Sequence, residues 1–334
     1  MINSISPNFI TQNKLNTVQK HGQINFCGVQ KGLNGLNNAI IKYSQKENLS
    51  LFDRLRFQFT LMKNIFKLTK QDNFIAEGHD AVVFRISDEF VSRHQKYDKS
   101  DKLKISLVKK IENPFEDIKS YFGHPIFESG FMKILKNANP NGKFMPCGTP
   151  LHIDLTPPTL AEIKKYEKEY LPLCASLPQE SFDELVKDFK KLGNKKLLPD
   201  VVNPANIIIT ENKFKIVDGL DKIKYNATLF DVLRMLLIKY SQGFYAEPKP
   251  QLFELRKEIF RKSLIAGEKA DIITGDGLFI NEDEEYILED LLYNSHTGAC
   301  KIFEKLDDMK KSDSASLSER IDLINSHFQN MHLG

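Results

Sequence analysis

The sequence predicts an α+β protein of two lobes, a β-rich lobe followed by an α-helical lobe. Short runs of β-branched and aromatic residues, separated by turn residues, occur between about residues 71 and 153. After Pro157 and Pro158 the apolar residues instead recur at helical spacing. The chain has 334 residues, of which 41% are hydrophobic and 27% are charged. At about 100–200 residues per domain, this length suits two domains or one two-lobed unit.

Composition and charge argue against several classes of protein. Lys and Arg number 47 against 44 Asp and Glu, so the formal net charge of +3 gives no reason to expect a nucleic-acid partner. No stretch approaches the roughly 18 apolar residues that a transmembrane segment requires. The four cysteines form no CxxC motif and the histidines form no HExxH motif, so neither a disulfide scaffold nor a zinc site is expected.

The N-terminal region, residues 1–32, is rich in Asn, Gln, Ser and Gly, and we expect a flexible tail. It lacks the charged and apolar regions of a Sec signal peptide, so we expect a cytoplasmic protein. The alternative is a secreted effector, in which such a tail is an address that a secretion system reads.

Two helices are predicted within residues 33–70, at about 34–46 and 50–68. The second mixes apolar residues with Arg and Lys at broadly helical spacing. We expect its apolar side to pack on a domain; the alternative is a helix that lies on a membrane surface.

The β-rich lobe, residues 71–153, begins with three antiparallel strands joined by turns. These strands are Phe74–Gly78, Ala81–Ile86 and Phe90–Arg93. Residues 101–122 are predicted as an irregular helix that Pro114 breaks. Another hairpin is predicted from Phe127–Leu135 and Lys143–Pro146.

The α-helical lobe, residues 154–331, begins with a predicted helix over 159–170. A clearer helix is predicted to begin at Ser181, with Glu184 three residues on, and to end at Gly193. A hairpin then follows, with strands on either side of a Glu-Asn turn. Further helices are predicted at about 228–241, 249–265, 284–307 and 316–330.

Three segments carry residues suited to phosphate and metal chemistry. Gly78 lies in a turn of small residues where backbone N–H groups can approach a polyphosphate, although a plain hairpin explains this turn as well. Asp200 and Asn206 share a short loop before a buried strand, which is also the composition of an Asx turn. Asp218 directly follows the next strand and precedes Gly219, as in an ordinary Asp-Gly turn.

The order of these segments resembles that of the protein-kinase-like superfamily, including its divergent bacterial members, over about residues 73–240. Ile75–Phe84 resembles the Gly-rich loop, and Phe90–Arg93 resembles the third strand. Asp200 to Asn206 resembles the catalytic loop, and Ile216–Gly219 resembles the metal-binding strand end of the DFG segment. The resemblance implies a two-lobed protein-kinase-like fold with a β-rich N-lobe and an α-helical C-lobe.

The same resemblance implies an ATP- and Mg²⁺-dependent phosphotransferase that moves the γ-phosphoryl group to a hydroxyl group of a protein or a small molecule. It makes Asp200 the base, or the residue that orients the acceptor. It makes Asn206 and Asp218 the metal ligands. The partners it implies are a nucleotide and an acceptor of either class.

Three further residues would bind the nucleotide. Gly78 would let the loop close over the phosphates, and Arg93 would pair with phosphate where the family has Lys. Glu116 is the candidate for the ion-pair glutamate, with Glu112 as the other.

Several departures from the family pattern keep other functions open. The acid and amide of the loop are six residues apart where the family has five, no His precedes Asp200, and Gly219 replaces Phe. They motivate the alternative of a pseudokinase that binds a nucleotide or a protein without catalysis. The segment after Asp218 turns helical within about ten residues and leaves little platform for a peptide, so a small-molecule acceptor, as in the aminoglycoside-phosphotransferase branch, is a further alternative.

Overall fold

The computed structural model describes residues 27–78, 81–96, 106–130, 132–140, 160–200, 206–237, 250–272 and 299–331. It is mixed α+β, with a β-sheet in the N-terminal half and helices in the C-terminal half, as predicted. The buried apolar side chains form two clusters. One lies between the first two helices and the sheet, and the other fills the helical half.

The first two helices, α1 (Cys27–Ser44) and α2 (Leu51–Leu68), pack against each other and against the sheet. Ser50 caps α2, because its hydroxyl accepts the Asp53 N–H at 3.1 Å and the Asp53 carboxylate accepts the Ser50 N–H at 3.3 Å. Phe57 stacks on Tyr43 and meets Phe127 edge-on, with ring centroids 4.9 Å apart in both pairs. The predicted packing of the apolar side of α2 is therefore confirmed for Phe57 and Leu61. It is wrong for several other large apolar side chains of the stripe, which are exposed: Leu51, Leu55, Phe59, Met62 and Phe66.

A six-stranded antiparallel sheet follows, in the order β1-β2-β3-β6-β5-β4. Its strands are β1 (Phe74–Glu77), β2 (Ala81–Arg85), β3 (Phe90–Gln95), β4 (Lys109–Lys110), β5 (Pro125–Ser129) and β6 (Met132–Lys136). The three predicted N-terminal strands are confirmed, with β2 between β1 and β3. The predicted hairpin beyond them is wrong in its turn, because the chain reverses at Gly130, whose φ of 46° suits glycine. Its second predicted strand, 143–146, lies outside the described residues.

The irregular helix predicted over 101–122 is wrong for the part that the structure describes. Between residues 106 and 124 the structure shows the short strand β4, turns and extended chain, and no helix. Pro114 has no N–H to donate, and the Asn113 side chain accepts the Phe115 N–H at 3.0 Å in an Asx turn. The local hydrogen bonding therefore favours a turn where the spacing of apolar residues indicated a helix.

The C-terminal half is built around a long helix, α7. Its helices are α3 (Leu160–Lys165), which continues into a π-helical turn (Tyr166–Tyr170), α4 (Leu171–Ser176), α5 (Gln179–Asn194), α6 (Leu229–Leu237), α7 (Pro250–Ala270), α8 (Ala299–Lys311) and α9 (Leu317–Gln329). Helix α7 packs against α4, α5, α6 and α9. The carboxylate of Glu268 on α7 is buried between Arg320 of α9 and Lys310 of α8, at 2.8 Å from each. This ion triad fixes the last two helices on α7.

Helix α5 begins two residues before the predicted start at Ser181, with Pro178 at its N-cap. The Ser181 hydroxyl instead donates to the Asn212 carbonyl oxygen at 2.6 Å, which joins the helix to the neighbouring hairpin. At the other end, the Cβ of an alanine at Gly193 would lie 2.5 Å from the Ala227 Cβ. Gly193 therefore allows the chain before α6 to approach α5 closely.

Two small antiparallel pairs complete the fold. Strand β8 (Ile207–Thr210) pairs with β9 (Lys213–Ile216), and β7 (Leu197–Pro199) pairs with β10 (Leu220–Lys222). The predicted hairpin is confirmed in β8 and β9. Its turn residues, Glu211 and Asn212, have φ values of 52° and 57°, as a two-residue hairpin turn requires.

Candidate functional site

The β8–β9 hairpin brings Asn206 and Asp218 to the same end of a small sheet. Asn206 directly precedes β8, and Asp218 comes two residues after the end of β9. Because the strands are antiparallel, these positions are neighbours, and the Val217 N–H donates to the Asn206 carbonyl oxygen at 2.8 Å. The Asn206 side chain is buried, whereas Asp218 is partly exposed.

Arg93 reaches this strand end from the other half of the protein. It lies in β3 of the six-stranded sheet, and its Nη1 forms an ion pair with Asp218 Oδ1. The side chains are 28% and 39% exposed, so solvent reaches both partners. The same carboxylate oxygen accepts the Gly219 N–H at 2.6 Å. Arg93, which is predicted to pair with phosphate, is therefore paired in this structure with Asp218, a predicted metal ligand.

A short extended segment, 120–123, holds the backbone next to Asp218 in place. The Ile216 N–H donates to the Ser120 carbonyl oxygen, and the Phe122 N–H donates to the Ile216 carbonyl oxygen, each at 2.7 Å. The segment thus pairs with β9 through a single parallel bridge between Tyr121 and Ile216. At Gly123 an added Cβ would lie 2.0 Å from the Asp218 carbonyl oxygen. Only glycine permits this approach.

A buried carboxylate on α5 anchors the same segment. Asp188 Oδ2 accepts the Ser120 N–H at 2.9 Å and the Ser120 hydroxyl at 2.8 Å. Asp188 Oδ1 accepts from Lys191 at 3.2 Å, and Lys191 also donates to the Asp117 carbonyl oxygen. The two bonds between Asp188 and Ser120 are buried, so they are made in a region of low dielectric.

Tyr121 lies next to the ion pair. Burial raises the pKa of Tyr121 to about 12; the negative charge of Asp218 adds to this rise and Arg93 opposes it. The phenol therefore stays protonated at neutral pH beside Asp218. Its ring meets that of Phe115 edge-on at 5.1 Å.

Asp200 follows β7 directly and is close to Asn206. The Asn206 amide nitrogen donates to the Asp200 carbonyl oxygen at 3.4 Å, and the Asp200 residue is partly exposed. Residues 201–205, between them, lie outside the described residues. The structure thus brings together four of the six predicted site residues: Arg93, Asp200, Asn206 and Asp218.

Gly78 lies in the turn between β1 and β2, where its N–H donates to the Ala81 carbonyl oxygen at 2.9 Å. Lys96 donates to the Gly78 carbonyl oxygen at 2.8 Å and pairs with Glu77 at 2.5 Å, so a cation lies beside this turn. An added Cβ at Gly78 would lie 3.9 Å from the Ala81 oxygen, which is an ordinary contact. The local structure therefore does not require glycine at this position.

Glu116 is exposed and, among the described residues, does not pair with Arg93. It lies in the turn region 114–117 that replaces the predicted helix. Lys195 of α5 fixes this region by donating to the Pro114 carbonyl oxygen at 2.9 Å and to Asp117 at 3.3 Å. The other candidate, Glu112, is also exposed, and its carbonyl oxygen lies 2.7 Å from His124 Nε2.

Lys215 is a buried cation that sequence reasoning missed. It lies in β9, and its ammonium donates to the Ala138 carbonyl oxygen at 2.9 Å and to Glu211 at 3.2 Å. Residues 137–140 follow the last strand of the sheet, so Lys215 ties the chain leaving the sheet to the β8–β9 hairpin. The alternation of Lys213, Phe214 and Lys215 indicated an exposed position, and nothing local distinguished Lys215 from Lys213.

The oxygen atoms of Asn206 and Asp218 are donors of the kind that Mg²⁺ takes. In nucleotide sites Mg²⁺ is held by one or two side chains, with phosphate and water supplying the remaining ligands, so this pair fits a nucleotide-bound Mg²⁺. In the described part of the chain, no group of three or more His, Cys, Asp or Glu side chains could hold a metal without such help.

Comparison with protein-family models found no match for this chain, and comparison with curated proteins found none either. Of the helices in the described ranges, none combines the length and the apolar character needed to cross a membrane.

Proposed function

We propose that this protein has a two-lobed protein-kinase-like fold, binds ATP and Mg²⁺ between its halves, and transfers the γ-phosphoryl group to a hydroxyl group. The observation that carries the proposal is the Arg93–Asp218 ion pair. It brings a cation of the sheet to an acid at the end of β9, with Asn206 beside that acid. These are the charges and donors that a nucleotide with a divalent cation requires.

The path of the chain supports the same proposal. After β6, residues 137–140 lead out of the sheet, and Thr210 of β8 and Lys215 of β9 bond to Asn139 and Ala138. Two links therefore join the sheet to the β8–β9 hairpin. One is formed by the hydrogen bonds to residues 137–140, and the other is the Arg93–Asp218 ion pair. A nucleotide between the sheet and the hairpin would lie with its phosphates toward the ion pair.

Each residue then has a role that its position allows. Bound Mg²⁺ would neutralise the charge that develops on the phosphate oxygens. Asp218 and Asn206 would hold it, and Arg93 would turn from Asp218 to a phosphate oxygen. Asp200 would accept the proton of the attacking hydroxyl while the hydroxyl oxygen bonds to the γ-phosphorus and the bond to the β-phosphate oxygen breaks, releasing ADP. Most of the rate enhancement would come from positioning and charge.

The second candidate is a pseudokinase, a nucleotide- or protein-binding scaffold of the same fold without catalysis. Two observations favour it. Glu116 does not hold Arg93, and Arg93 pairs instead with the acid that transfer requires as a metal ligand. In this arrangement the charges of Arg93 and Asp218 neutralise each other, and no ligand is needed to balance them.

Calorimetry of ATP binding with and without Mg²⁺ tests the proposal. We expect the wild-type protein to bind ATP more tightly with Mg²⁺, and Asp218→Ala to lose this Mg²⁺ dependence. Asp221→Ala is the matched control, because Asp221 is an exposed acid only three residues away, and it should bind as the wild type does. A wild-type protein that binds no ATP under either condition would refute the nucleotide site.

Transfer is measured separately, with protein and small-molecule acceptors side by side. We expect phosphorylated product from the wild-type protein and a loss of about 100-fold or more in Asp200→Asn, since general base catalysis contributes roughly that factor. Mg²⁺-dependent ATP binding without product from any acceptor would favour the second candidate.

A further inference from the structure

Helix α2 presents a continuous apolar face to solvent. Among the described residues, eight large hydrophobic side chains are exposed, and six of them lie on this one helix. The six, which we call the α2 face, are Leu51, Phe52, Leu55, Phe59, Met62 and Phe66. Phe59 is 71% exposed and Phe66 is 81% exposed. Isolated exposed apolar residues are normal, but a contiguous row of this kind marks an interaction surface.

The α2 face is held in place by the rest of the fold. The capping box at Ser50 and Asp53 fixes the start of the helix, and the opposite side, with Phe57 and Leu61, is buried against α1 and the sheet. The row from Leu51 to Phe66 is about 22 Å long at 1.5 Å per residue. Binding through it costs little ordering entropy, because the helix is already held by the core.

A row of cations lies beside the α2 face on one flank. At 100° per residue, Arg56, Lys63 and Lys67 fall on the same side of the apolar row, and all three are exposed. The Arg56 guanidinium lies over the Phe52 ring, 4.2 Å from its centroid. Residues 54–71 contain five Lys or Arg and no Asp or Glu, so Asp53 is the one acid in α2.

Asp53 is already engaged, and Asp72, the next acid along the chain, lies beyond the end of α2. The Asp53 carboxylate accepts from Lys46 at 2.8 Å and from the Ser50 hydroxyl at 2.9 Å. Within the described residues, Arg56, Lys63 and Lys67 form no ion pairs. The partner of this surface must therefore supply both negative charge and an apolar environment.

We propose that the α2 face docks on an anionic phospholipid bilayer. The helix would lie parallel to the surface, with Phe59 and Phe66 at the boundary between headgroups and acyl chains and the cations at the phosphates. A second copy of this chain matches less well, because its own α2 face offers no acid to these cations. This inference stands independently of the phosphotransfer proposal, since it uses none of that site.

Cosedimentation of the full chain with vesicles tests the proposal. We expect binding to phosphatidylcholine vesicles that contain about 30% phosphatidylserine, weak binding to phosphatidylcholine alone, and release as NaCl rises above about 0.3 M. The triple variant R56Q/K63Q/K67Q should lower the partition coefficient roughly 100-fold. Its matched control, K222Q/K224Q/K305Q, removes three exposed cations elsewhere and should bind like the wild type.

The apolar contribution has its own pair of variants. F59S/F66S should lower the partition coefficient by roughly tenfold or more per side chain. Leu317→Ser changes an exposed apolar residue on α9 and should leave binding unchanged. Absence of binding to the anionic vesicles would overturn the proposal, as would equal loss in both control variants. A dimer in vesicle-free buffer that F59S/F66S dissociates would assign the α2 face to a second copy and overturn it too.

Discussion

A methyl group at position 123 would collide with the backbone of Asp218. The Cβ of Gly123→Ala would lie 2.0 Å from the Asp218 carbonyl oxygen and 2.7 Å from its carbonyl carbon. Cβ atoms essentially never approach another atom within 3.0 Å, so the two backbones must separate by about 1 Å. The atoms that must move belong to the main chain, which hydrogen bonds on both sides of Ile216 hold in place.

This collision should affect both stability and the site. Overpacking of a well-packed region costs about 1–3 kcal/mol, and for a chain of this size each kcal/mol lowers Tm by about 2–4 °C. Displacement of a catalytic group by about 1 Å can cost roughly 100-fold in rate. We therefore expect Gly123→Ala to melt about 2–12 °C lower and, under the proposed function, to lose Mg²⁺-dependent ATP affinity.

Gly219→Ala is the matched control, because Gly219 is also adjacent to Asp218. An added Cβ there has no atom within 4 Å, and its backbone is not left-handed. It should change the free energy of unfolding by less than about 1 kcal/mol, with a small gain from the less flexible unfolded chain. Scanning fluorimetry and calorimetry on both variants decide the matter. Equal melting temperatures for Gly123→Ala and the wild type would show that segment 120–123 does not contact Asp218 in this way.

Two further predictions concern buried titratable groups. Asp188→Ala should lower the free energy of unfolding by roughly 2–4 kcal/mol, because the N–H and hydroxyl of Ser120 lose their buried acceptor. Urea denaturation measures this free energy, and a loss below about 1 kcal/mol would contradict the prediction. Burial lowers the pKa of His94 from 6.5 to about 4. As pH falls from 6.5 to 4, His94 is therefore protonated in the unfolded chain while it is still neutral in the folded protein. This difference lowers the free energy of unfolding by up to about 3 kcal/mol across that pH range. Urea denaturation as a function of pH should show a shallower loss in His94→Gln than in the wild type, and parallel curves would refute this assignment.

Local sequence was enough to predict the elements that local interactions determine. The β8–β9 hairpin is confirmed because β8 is apolar and β-branched, β9 alternates Lys with apolar residues, and Asn212 in the turn tolerates positive φ. The segment before β5 was mispredicted because its apolar residues follow helical spacing. Its hydrogen bonds go elsewhere: Asn113 closes a turn, Asp188 binds Ser120, and Ile216 pairs with the extended chain. Such distant partners are not visible in a window of ten residues.

The candidate site likewise contains some residues that local sequence predicts and others that only the tertiary structure brings together. The proximity of Asn206 and Asp218 could be predicted, because Asn206 directly precedes one recognisable strand, Asp218 follows the next within two residues, and the two strands form a hairpin. The contact of Arg93 with Asp218 spans 125 residues in sequence and follows only from the tertiary structure. The close approach of Gly123 carried one local signal, a glycine just before a strand, but many glycines occupy such positions without a contact of this kind.

The Arg93–Asp218 ion pair is compatible with the proposed phosphoryl transfer, because opening it costs little free energy. Both side chains are partly exposed, and pairs of this kind contribute about 0–1 kcal/mol. A divalent cation at Asp218 and a phosphate at Arg93 would each give the separated charges a stronger partner. The ion pair would then be the ligand-free state of the site, and ATP and Mg²⁺ would together replace the contact between Arg93 and Asp218. ATP alone would have to open the pair while leaving Asp218 without a cation. An ATP affinity that rises with Mg²⁺ would therefore indicate that the ligands replace the ion pair, whereas the same affinity with and without Mg²⁺ would favour the pseudokinase.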